Sequence, residues 1–194
     1  TFPAEIFDAL YEANASVAGF KPGEVVPFRD LFYGTALPSG ADATTALALT
    51  VAGSETAFAQ LMNETAQRLG LKNTHFVNAS GLHDDNHSST CHEIAIILEY
   101  AISIPELRQI LGTYTYTTTP TEQNPEGLEL HSTLYSKMEG SEAEGMYIQG
   151  GKTGYTLEAR HCLATFAAPC TEENAPYTRP RFVLVTAYGW PEYK

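Results

Sequence analysis

The segment Lys152-Thr153-Gly154 combines three residue types that together could recognise the end of a peptide. Lys152 would bring a positive charge to a terminal carboxylate, and Thr153 would add a hydroxyl donor. Gly154 has no side chain, so the backbone of a ligand could approach it closely. At the edge of a sheet, such a segment could pair with an extended peptide that adds as a further strand. The alternative is an ordinary strand with a turn and a solvated lysine, which the three residues alone favour.

Ser39 is the second candidate for chemistry, and it stands between Pro38 and Gly40. Its hydroxyl could relay a proton to a leaving group. A serine in this setting more commonly completes a loop or caps a helix. The chemical and the local structural role could coexist at this position.

A loop rich in histidine and aspartate could suggest a metal site, because two histidines and two aspartates can bind zinc. The residues concerned are His83, Asp84, Asp85, His87, His92 and Glu93. Their spacing matches no standard site, and we favour a polar surface loop. The sequence also lacks a GxGxxG or Walker-type loop, so we expect neither a metal nor a cofactor.

The three cysteines, Cys91, Cys162 and Cys170, form no CxxC pair. Neither a zinc ribbon nor a thioredoxin-type site is therefore indicated. Cys162 and Cys170 could pair with each other, and two buried thiols are the simpler interpretation.

The first half of the chain must supply helices, because its apolar residues recur at helical spacing. Asp42 is placed to cap a helix over 43–51, and Thr90 begins a capping box before the next apolar stripe. Gly70 is a natural helix end, and Pro105 fits a first turn. The predicted segments are 4–14, 43–51, 54–69, 91–101 and 105–112, with a further apolar segment at 28–37.

The second half must supply strands, because Tyr, Thr and branched residues cluster there between Gly, Pro and acidic turns. The strand candidates are 114–119, 146–148, 155–157, 161–167 and 182–188. Helices followed by strands in hairpin-like succession predict an α+β fold with an antiparallel sheet, rather than alternating βαβ units.

The charge balance excludes several classes of partner. Eleven Lys and Arg stand against 23 Asp and Glu, a net charge of −12 over 194 residues. Such an acidic chain disfavours nucleic acid and anionic membrane surfaces. No apolar run approaches ~18 residues, so we expect no transmembrane helix. The first residues show no signal peptide, and a processed or trimmed chain would look the same.

Three segments together resemble the serine-type D-alanyl-D-alanine carboxypeptidases, the low-molecular-mass penicillin-binding proteins. These segments are 37–43, with Ser39-Gly40-Ala41, then 58–82, with Met62-Asn63 and Ser80-Gly81-Leu82, and finally 150–156, with Lys152-Thr153-Gly154. The Lys-Thr-Gly motif belongs to the set shared with β-lactamases. The resemblance runs from about residue 19 to residue 189. It implies a β-lactamase/penicillin-binding-type α+β fold, a single partial domain over residues 1–194. A helical lobe near 28–112 would pack on an antiparallel sheet near 145–189.

The resemblance also implies an activity. A serine attacks the D-Ala-D-Ala bond of a peptidoglycan pentapeptide, D-Ala leaves, and β-lactams are trapped at the same serine. Lys152, Thr153 and Gly154 would bind the substrate or β-lactam, Ser39 would act as a catalytic proton relay, and a second oxyanion donor would lie near residues 157–160. Such a protein works outside the cytoplasm, in the bacterial cell envelope or secreted. We expect membrane association only through segments that lie outside these 194 residues.

Two departures from the family pattern matter for this activity. The family nucleophile is the serine of Ser-x-x-Lys, and no lysine of this chain has a serine three residues before it; the lysines are Lys21, Lys72, Lys137, Lys152 and Lys194. Ala41 stands where the family's Ser-x-Asn triad has its asparagine, and a methyl group cannot replace an amide. Two hypotheses follow: a peptidase domain whose nucleophile motif lies outside this chain, and an inactive family member that binds a peptide or a partner.

Overall fold

The structure, a computed structural model, describes residues 2–138 and 145–190. Its helices are α1 (Glu5–Glu12), α2 (Phe28–Ala36), α3 (Ala41–Ala52), α4 (Glu55–Arg68), α5 (Cys91–Ile102) and α6 (Pro105–Leu111). Its strands are β1 (Thr115–Thr117), β2 (Glu129–His131), β3 (Tyr147–Thr156), β4 (Arg160–Ala168) and β5 (Phe182–Gly189). Helices precede antiparallel strands, which confirms the predicted α+β class.

The chain divides into two compact units. The first comprises Thr1–Ser88 and Tyr114–Ser132, and the second comprises Ser89–Thr113 and Thr133–Lys194. Helices α5 and α6, which we expected in the helical lobe near 28–112, group with the sheet. The reason is packing, because α5 contacts β4 and β5, and α6 contacts β3.

The core of the first unit forms where α1, α2 and α3 pack against the segments that precede α1 and α2. Phe2 and Phe20 stack with ring centroids 4.9 Å apart. They belong to a cluster of buried side chains that consists of Phe2, Phe20, Leu31, Ala43, Ala46 and Leu47. Burial of this apolar surface is the main stabilising contribution to the unit.

Asp42 does not cap α3, so that prediction is wrong. The helix begins at Ala41 with Gly40 as its N-cap, and Asp42 lies inside the first turn. The Asp42 carboxylate is fully buried and accepts backbone N–H groups at 2.7 to 3.2 Å, from Ala18, Gly19, Phe20 and Ala43. A buried carboxylate needs such donors. The acid therefore fastens the chain before α2 to the start of α3.

A second buried acid joins α2 to the β1–β2 hairpin. Asp30 accepts the Tyr116 hydroxyl at 2.6 Å and the Thr119 N–H at 2.8 Å. Tyr116 stacks on Tyr33 with centroids 3.7 Å apart. Burial, together with the Asp30 charge, raises the pKa of Tyr116 to about 12, so the phenol stays a hydrogen-bond donor at neutral pH.

The sheet of the second unit has the strand order β3-β4-β5, with β3 at one edge. β3 is one continuous strand, so the prediction of separate strands at 146–148 and 155–157 is wrong. Glycines carry little intrinsic strand preference, yet here tertiary packing requires them. A Cβ at Gly150 would meet the Leu111 carbonyl oxygen at 2.5 Å, and one at Gly151 would meet the Ala164 carbonyl oxygen more closely still.

The local signals at the helix ends are confirmed. The Thr90 hydroxyl accepts the Glu93 N–H at 3.1 Å, Pro105 opens α6 and Gly112 caps it. Gly70 follows α4 with a φ of 75°, a conformation that glycine adopts without strain. In the part of the chain that the structure describes, no helix has the length and apolar character needed to cross a membrane.

Candidate active site

Lys152 lies on the edge strand β3, opposite Ala164 of β4. Its ammonium donates to the carbonyl oxygen of Thr153 at 2.8 Å. Burial, and to a smaller extent the nearby charge of Lys137, lowers the pKa of Lys152 to about 8. The residue is thus a partly desolvated cation near neutral pH, and an anion placed beside it would be strongly favoured.

The Thr153 hydroxyl lies 2.6 Å from the hydroxyl of Thr133, and either group can be the donor. This bond fixes the start of the 133–138 segment against β3. If Thr133 donates, the Thr153 proton is available for an incoming carboxylate.

Gly154 is exposed on β3. A Cβ built there would meet only the Cβ of Cys162, at an ordinary contact distance of 3.7 Å. The fold of the second unit therefore does not require glycine at this position, in contrast to Gly150 and Gly151.

The beginning of β3 is held by side chains around Gln149. The Gln149 amide nitrogen donates to the carbonyl oxygens of Ala175 and Thr178. The Tyr135 hydroxyl donates to the carbonyl oxygens of Gly112 and Gln149 at 3.1 and 3.3 Å. These bonds position the strand from which Lys152 projects.

Ser39 occupies the turn between α2 and α3 with a φ of 61°, an uncommon conformation for a residue with a side chain. The Gly40 N–H bonds the Gly34 carbonyl at 2.9 Å and the Ala41 N–H bonds the Ser16 carbonyl at 2.8 Å. Gly40 is the cap of α3, so Ser39 does not cap that helix. Ala41 is only 5% exposed.

The structure brings Lys152, Thr153 and Gly154 together on one strand of the second unit. Ser39 belongs to the first unit, and its proximity to Lys152 stays a prediction. Sequence reasoning does not find Thr133 and Lys137, because no spacing in the sequence connects them to β3, a strand that begins ten or more residues after them.

The residues expected to give a second oxyanion donor, 157–160, close the β3–β4 hairpin. The Ala159 N–H donates to the Thr156 hydroxyl at 2.9 Å and is therefore already used within the turn. The expectation of a second oxyanion donor in this segment therefore does not hold for the Ala159 N–H.

The loop around His87 is organised by hydrogen bonds. The Val77 N–H donates to the His87 ring at 3.3 Å, and burial lowers the pKa of His87. The Asn63 amide bonds both the N–H and the carbonyl of Phe76. Over residues 2–138 and 145–190, no three His, Cys, Asp or Glu side chains are grouped to hold a metal ion. Cys91, Cys162 and Cys170 are free thiols.

Comparison with solved structures defines the class of protein to which the fold belongs. The structure of the Streptomyces K15 DD-transpeptidase is similar to this chain, with a TM-score of 0.77 and 32% identity, and the match covers 87% of this chain and 66% of that one. The fold is thus that of the penicillin-binding DD-peptidases. The model of peptidase family S11, D-alanyl-D-alanine carboxypeptidase, matches residues 7–175, and the chain belongs to this family.

Two curated relatives are similar over most of the chain. D-alanyl-D-alanine carboxypeptidase DacF of Bacillus subtilis (strain 168) is 33% identical over 160 residues. DacA of Escherichia coli (strain K12) is 35% identical over 156 residues. These matches cover 80% and 79% of this chain, but only 39% and 36% of the relatives.

Proposed function

We propose that this chain is the substrate-binding part of a D-alanyl-D-alanine carboxypeptidase-like serine peptidase. Its substrates are peptidoglycan stem peptides, it binds β-lactams, and its nucleophile motif lies outside these 194 residues. The observation that carries the proposal is Lys152-Thr153-Gly154 on an edge strand, with the lysine partly buried and the glycine open.

The strand edge provides the binding mode. An extended peptide that adds to β3 gains main-chain hydrogen bonds, as in other cases of strand addition. Gly154 lets its backbone approach, and Lys152 and Thr153 receive its terminal carboxylate. A hydrogen bond between ionised partners is stronger than a neutral one, so the carboxylate fixes the register of the peptide.

The pKa of Lys152, about 8, makes this recognition dependent on pH. The ammonium is needed for the carboxylate, so affinity falls as the pH rises through about 8. Because a bound carboxylate favours the charged lysine, binding near pH 8 to 9 takes up a proton.

Ser39 is the proposed proton relay. Backbone strain at a non-glycine residue often accompanies a functional role, and the φ of Ser39 is an example of such strain. When the scissile bond breaks, the leaving amine must gain a proton, and a serine hydroxyl hydrogen-bonded to a base can deliver it. The acyl-enzyme formed on the external serine is then hydrolysed by water.

The decisive experiment is labelling of the full-length protein with a fluorescent penicillin. A labelled band that is lost after replacement of the nucleophile serine supports the peptidase. An unlabelled, folded protein favours the second candidate, an inactive member that binds a peptide or a partner. The observation behind that candidate is Ala41 in place of the family's asparagine.

The location follows from the substrate. Peptidoglycan stem peptides lie outside the cytoplasm, so we place the protein in the bacterial cell envelope or among secreted proteins. Fractionation of cells that express the full-length protein, with detection by antibody, tests this placement.

A further inference from the structure

Two sequences of the form Asn-x-Ser occur in the chain, Asn14-Ala15-Ser16 and Asn78-Ala79-Ser80. In proteins outside the cytoplasm, this pattern is the acceptor for an N-linked oligosaccharide, which is attached to the asparagine amide. A transferase needs such a segment at the surface, with an amide nitrogen that is not already engaged. The structure separates the two acceptor sequences by both criteria.

Asn78 meets neither criterion. It is partly buried, as is Ser80. Its Nδ2 donates to the Leu82 carbonyl oxygen at 2.8 Å, and its Oδ1 accepts the Gly81 N–H at 2.8 Å. The amide therefore closes its own turn, and a sugar on Nδ2 would compete with the contact to Leu82.

Asn14 meets both criteria. It follows the end of α1 and is exposed, and Ser16 is exposed as well. Among the residues that the structure describes, neither the Asn14 amide nor the Ser16 hydroxyl takes part in a hydrogen bond. This acceptor sequence thus presents a free amide and a free hydroxyl to solvent.

The backbone of Asn14 has a structural role that is separate from its side chain. Its φ of 50° is left-handed. The Asn14 N–H donates to the Tyr11 carbonyl and the Ala15 N–H donates to the Leu10 carbonyl, both at 3.0 Å. Many helices end in this way, usually at glycine and sometimes at asparagine. Glycine would therefore serve the same backbone role, which leaves the amide group of Asn14 unused by the fold.

We infer that Asn14 is an acceptor site for an N-linked oligosaccharide and that Glu12 helps a transferase to select it. Glu12 is exposed and is the last residue of α1, where helices fray. In an extended segment, residues two apart share one face, so Glu12, Asn14 and Ser16 would present a carboxylate, an amide and a hydroxyl together. The carboxylate strengthens the contact because it is charged. In the other acceptor sequence, Phe76 stands at the corresponding place.

The inference rests on the location proposed above, outside the cytoplasm, and its co-reactant is an oligosaccharide linked to a lipid by pyrophosphate. Nδ2 of Asn14 forms a bond to the anomeric carbon of the first sugar, and the bond from that carbon to the pyrophosphate oxygen breaks. The lipid pyrophosphate leaves with the electron pair, and Nδ2 loses one proton. Nothing is oxidised or reduced in this transfer.

Export of the full-length protein in a bacterial host that carries an oligosaccharyltransferase and its lipid-linked oligosaccharide tests the site. Intact mass spectrometry of the exported protein should show an increase by one oligosaccharide, carried by the tryptic peptide that ends at Lys21. Asn14→Gly and Ser16→Ala should each abolish the increase, and Glu12→Gln should lower the modified fraction. Ser80→Ala removes the other acceptor sequence, so it is the matched control and should leave the increase unchanged.

Two further variants separate the amide from the fold. Asn14→Gly should keep the melting temperature of the unmodified protein, because glycine suits a left-handed backbone, so loss of the oligosaccharide then reports the missing amide. Ser16→Thr should keep the modification, because threonine supplies the same hydroxyl.

The outcomes distinguish the site from the function on which its location depends. Exported protein of unmodified mass, or with the oligosaccharide on Asn78, overturns the site and leaves the peptidase standing. An unchanged modified fraction in Glu12→Gln overturns the role of Glu12. Protein retained in the cytoplasm overturns the proposed location and the site with it. Exported, modified protein that a fluorescent penicillin does not label supports the site and overturns the peptidase.

Discussion

Gly151 and Gly154 lie three residues apart on β3, and a methyl group would meet a very different environment at each. At Gly151 it would collide with the backbone of Ala164 and Thr165, whereas at Gly154 it would meet only Cys162, at 3.7 Å. Gly151 therefore serves the packing of the sheet. Gly154 serves no packing need of its own unit, which is consistent with a glycine kept for a ligand.

Gly151→Ala and Gly154→Ala should therefore have different effects, the first on stability and the second on peptide binding. Gly151→Ala should lower the free energy of unfolding by about 1–3 kcal/mol, because the strands must separate to admit a methyl group. Gly154→Ala should change stability by less than about 1 kcal/mol and weaken the binding of a D-Ala-D-Ala peptide. Urea unfolding and calorimetric titration of the same two variants provide the measurements. Undiminished peptide binding by Gly154→Ala would contradict strand addition at β3.

The charge of Lys152 should destabilise the fold. Its pKa is lowered to about 8 by burial and by Lys137, so the unfolded chain binds more protons between pH 8 and 10.5. Stability contributed by this group must therefore rise with pH across that window, and its cost is fully present below pH 8. We expect Lys152→Met to raise the free energy of unfolding at pH 7 by about 1–3 kcal/mol.

Denaturant unfolding of the Lys152→Met variant at several pH values checks the sign. The advantage of the variant should shrink from pH 8 toward pH 10.5. Lys72→Met, at an exposed lysine of the first unit, is the matched control and should show no such trend. A constant advantage at all pH values would mean that hydrophobicity, not the charge, is responsible.

Arg160 begins β4 with a φ of 60°, and its guanidinium lies 4.4 Å from the centre of the Trp190 ring. Arg160 directly follows the three loop residues 157–159, and hairpin connections favour glycine at positions with a positive φ. The left-handed backbone costs about 1 kcal/mol, and the contact with Trp190 returns about 0.5–1 kcal/mol. Arg160→Gly should thus be nearly neutral and Arg160→Ala destabilising by about 1 kcal/mol. Equal melting temperatures of the two variants would show that the backbone is not strained.

Features that depend on neighbours close in sequence could be predicted from the sequence, and features that depend on tertiary packing could not. The capping box at Thr90 and the end of α6 at Gly112 depend on neighbours within four residues, so their sequence patterns suffice. The sequence pattern predicts two strands in place of β3, because Gly150 and Gly151 have little strand preference. Their close packing against Leu111 and Ala164 explains why glycine stands at these two positions.

The same principle governs the candidate site. Lys152-Thr153-Gly154 is contiguous and could be found as a motif. The Thr133–Thr153 hydrogen bond joins residues 20 apart, and the carboxylate of Asp42 bonds backbone up to 24 residues away. Such contacts depend on the tertiary fold and have no local signal.

We predict that the 194-residue chain forms no covalent adduct with penicillin. None of its serines stands three residues before a lysine, and a serine without an adjacent base is a weak nucleophile. Mass spectrometry after incubation with benzylpenicillin should show the unmodified mass. An increase by one β-lactam would mean that another serine is activated, and tryptic mapping would locate it.

The last prediction concerns Ala41, which the proposed function places at the asparagine of the family's Ser-x-Asn triad. An amide there would add a hydrogen bond to the bound substrate, and a bond that strengthens in the transition state is worth about 1–3 kcal/mol, or roughly ten- to a hundredfold in rate. Ala41→Asn in a full-length protein that contains the nucleophile should therefore raise the rate of penicillin acylation. Because Ala41 is 5% exposed, the larger side chain should also lower stability by about 1–3 kcal/mol. Ala41→Val is the matched control, since it adds volume without an amide and should lose stability with no gain in acylation. An acylation rate that Ala41→Asn leaves unchanged or lowers, in a folded protein, would show that the site is built around the alanine.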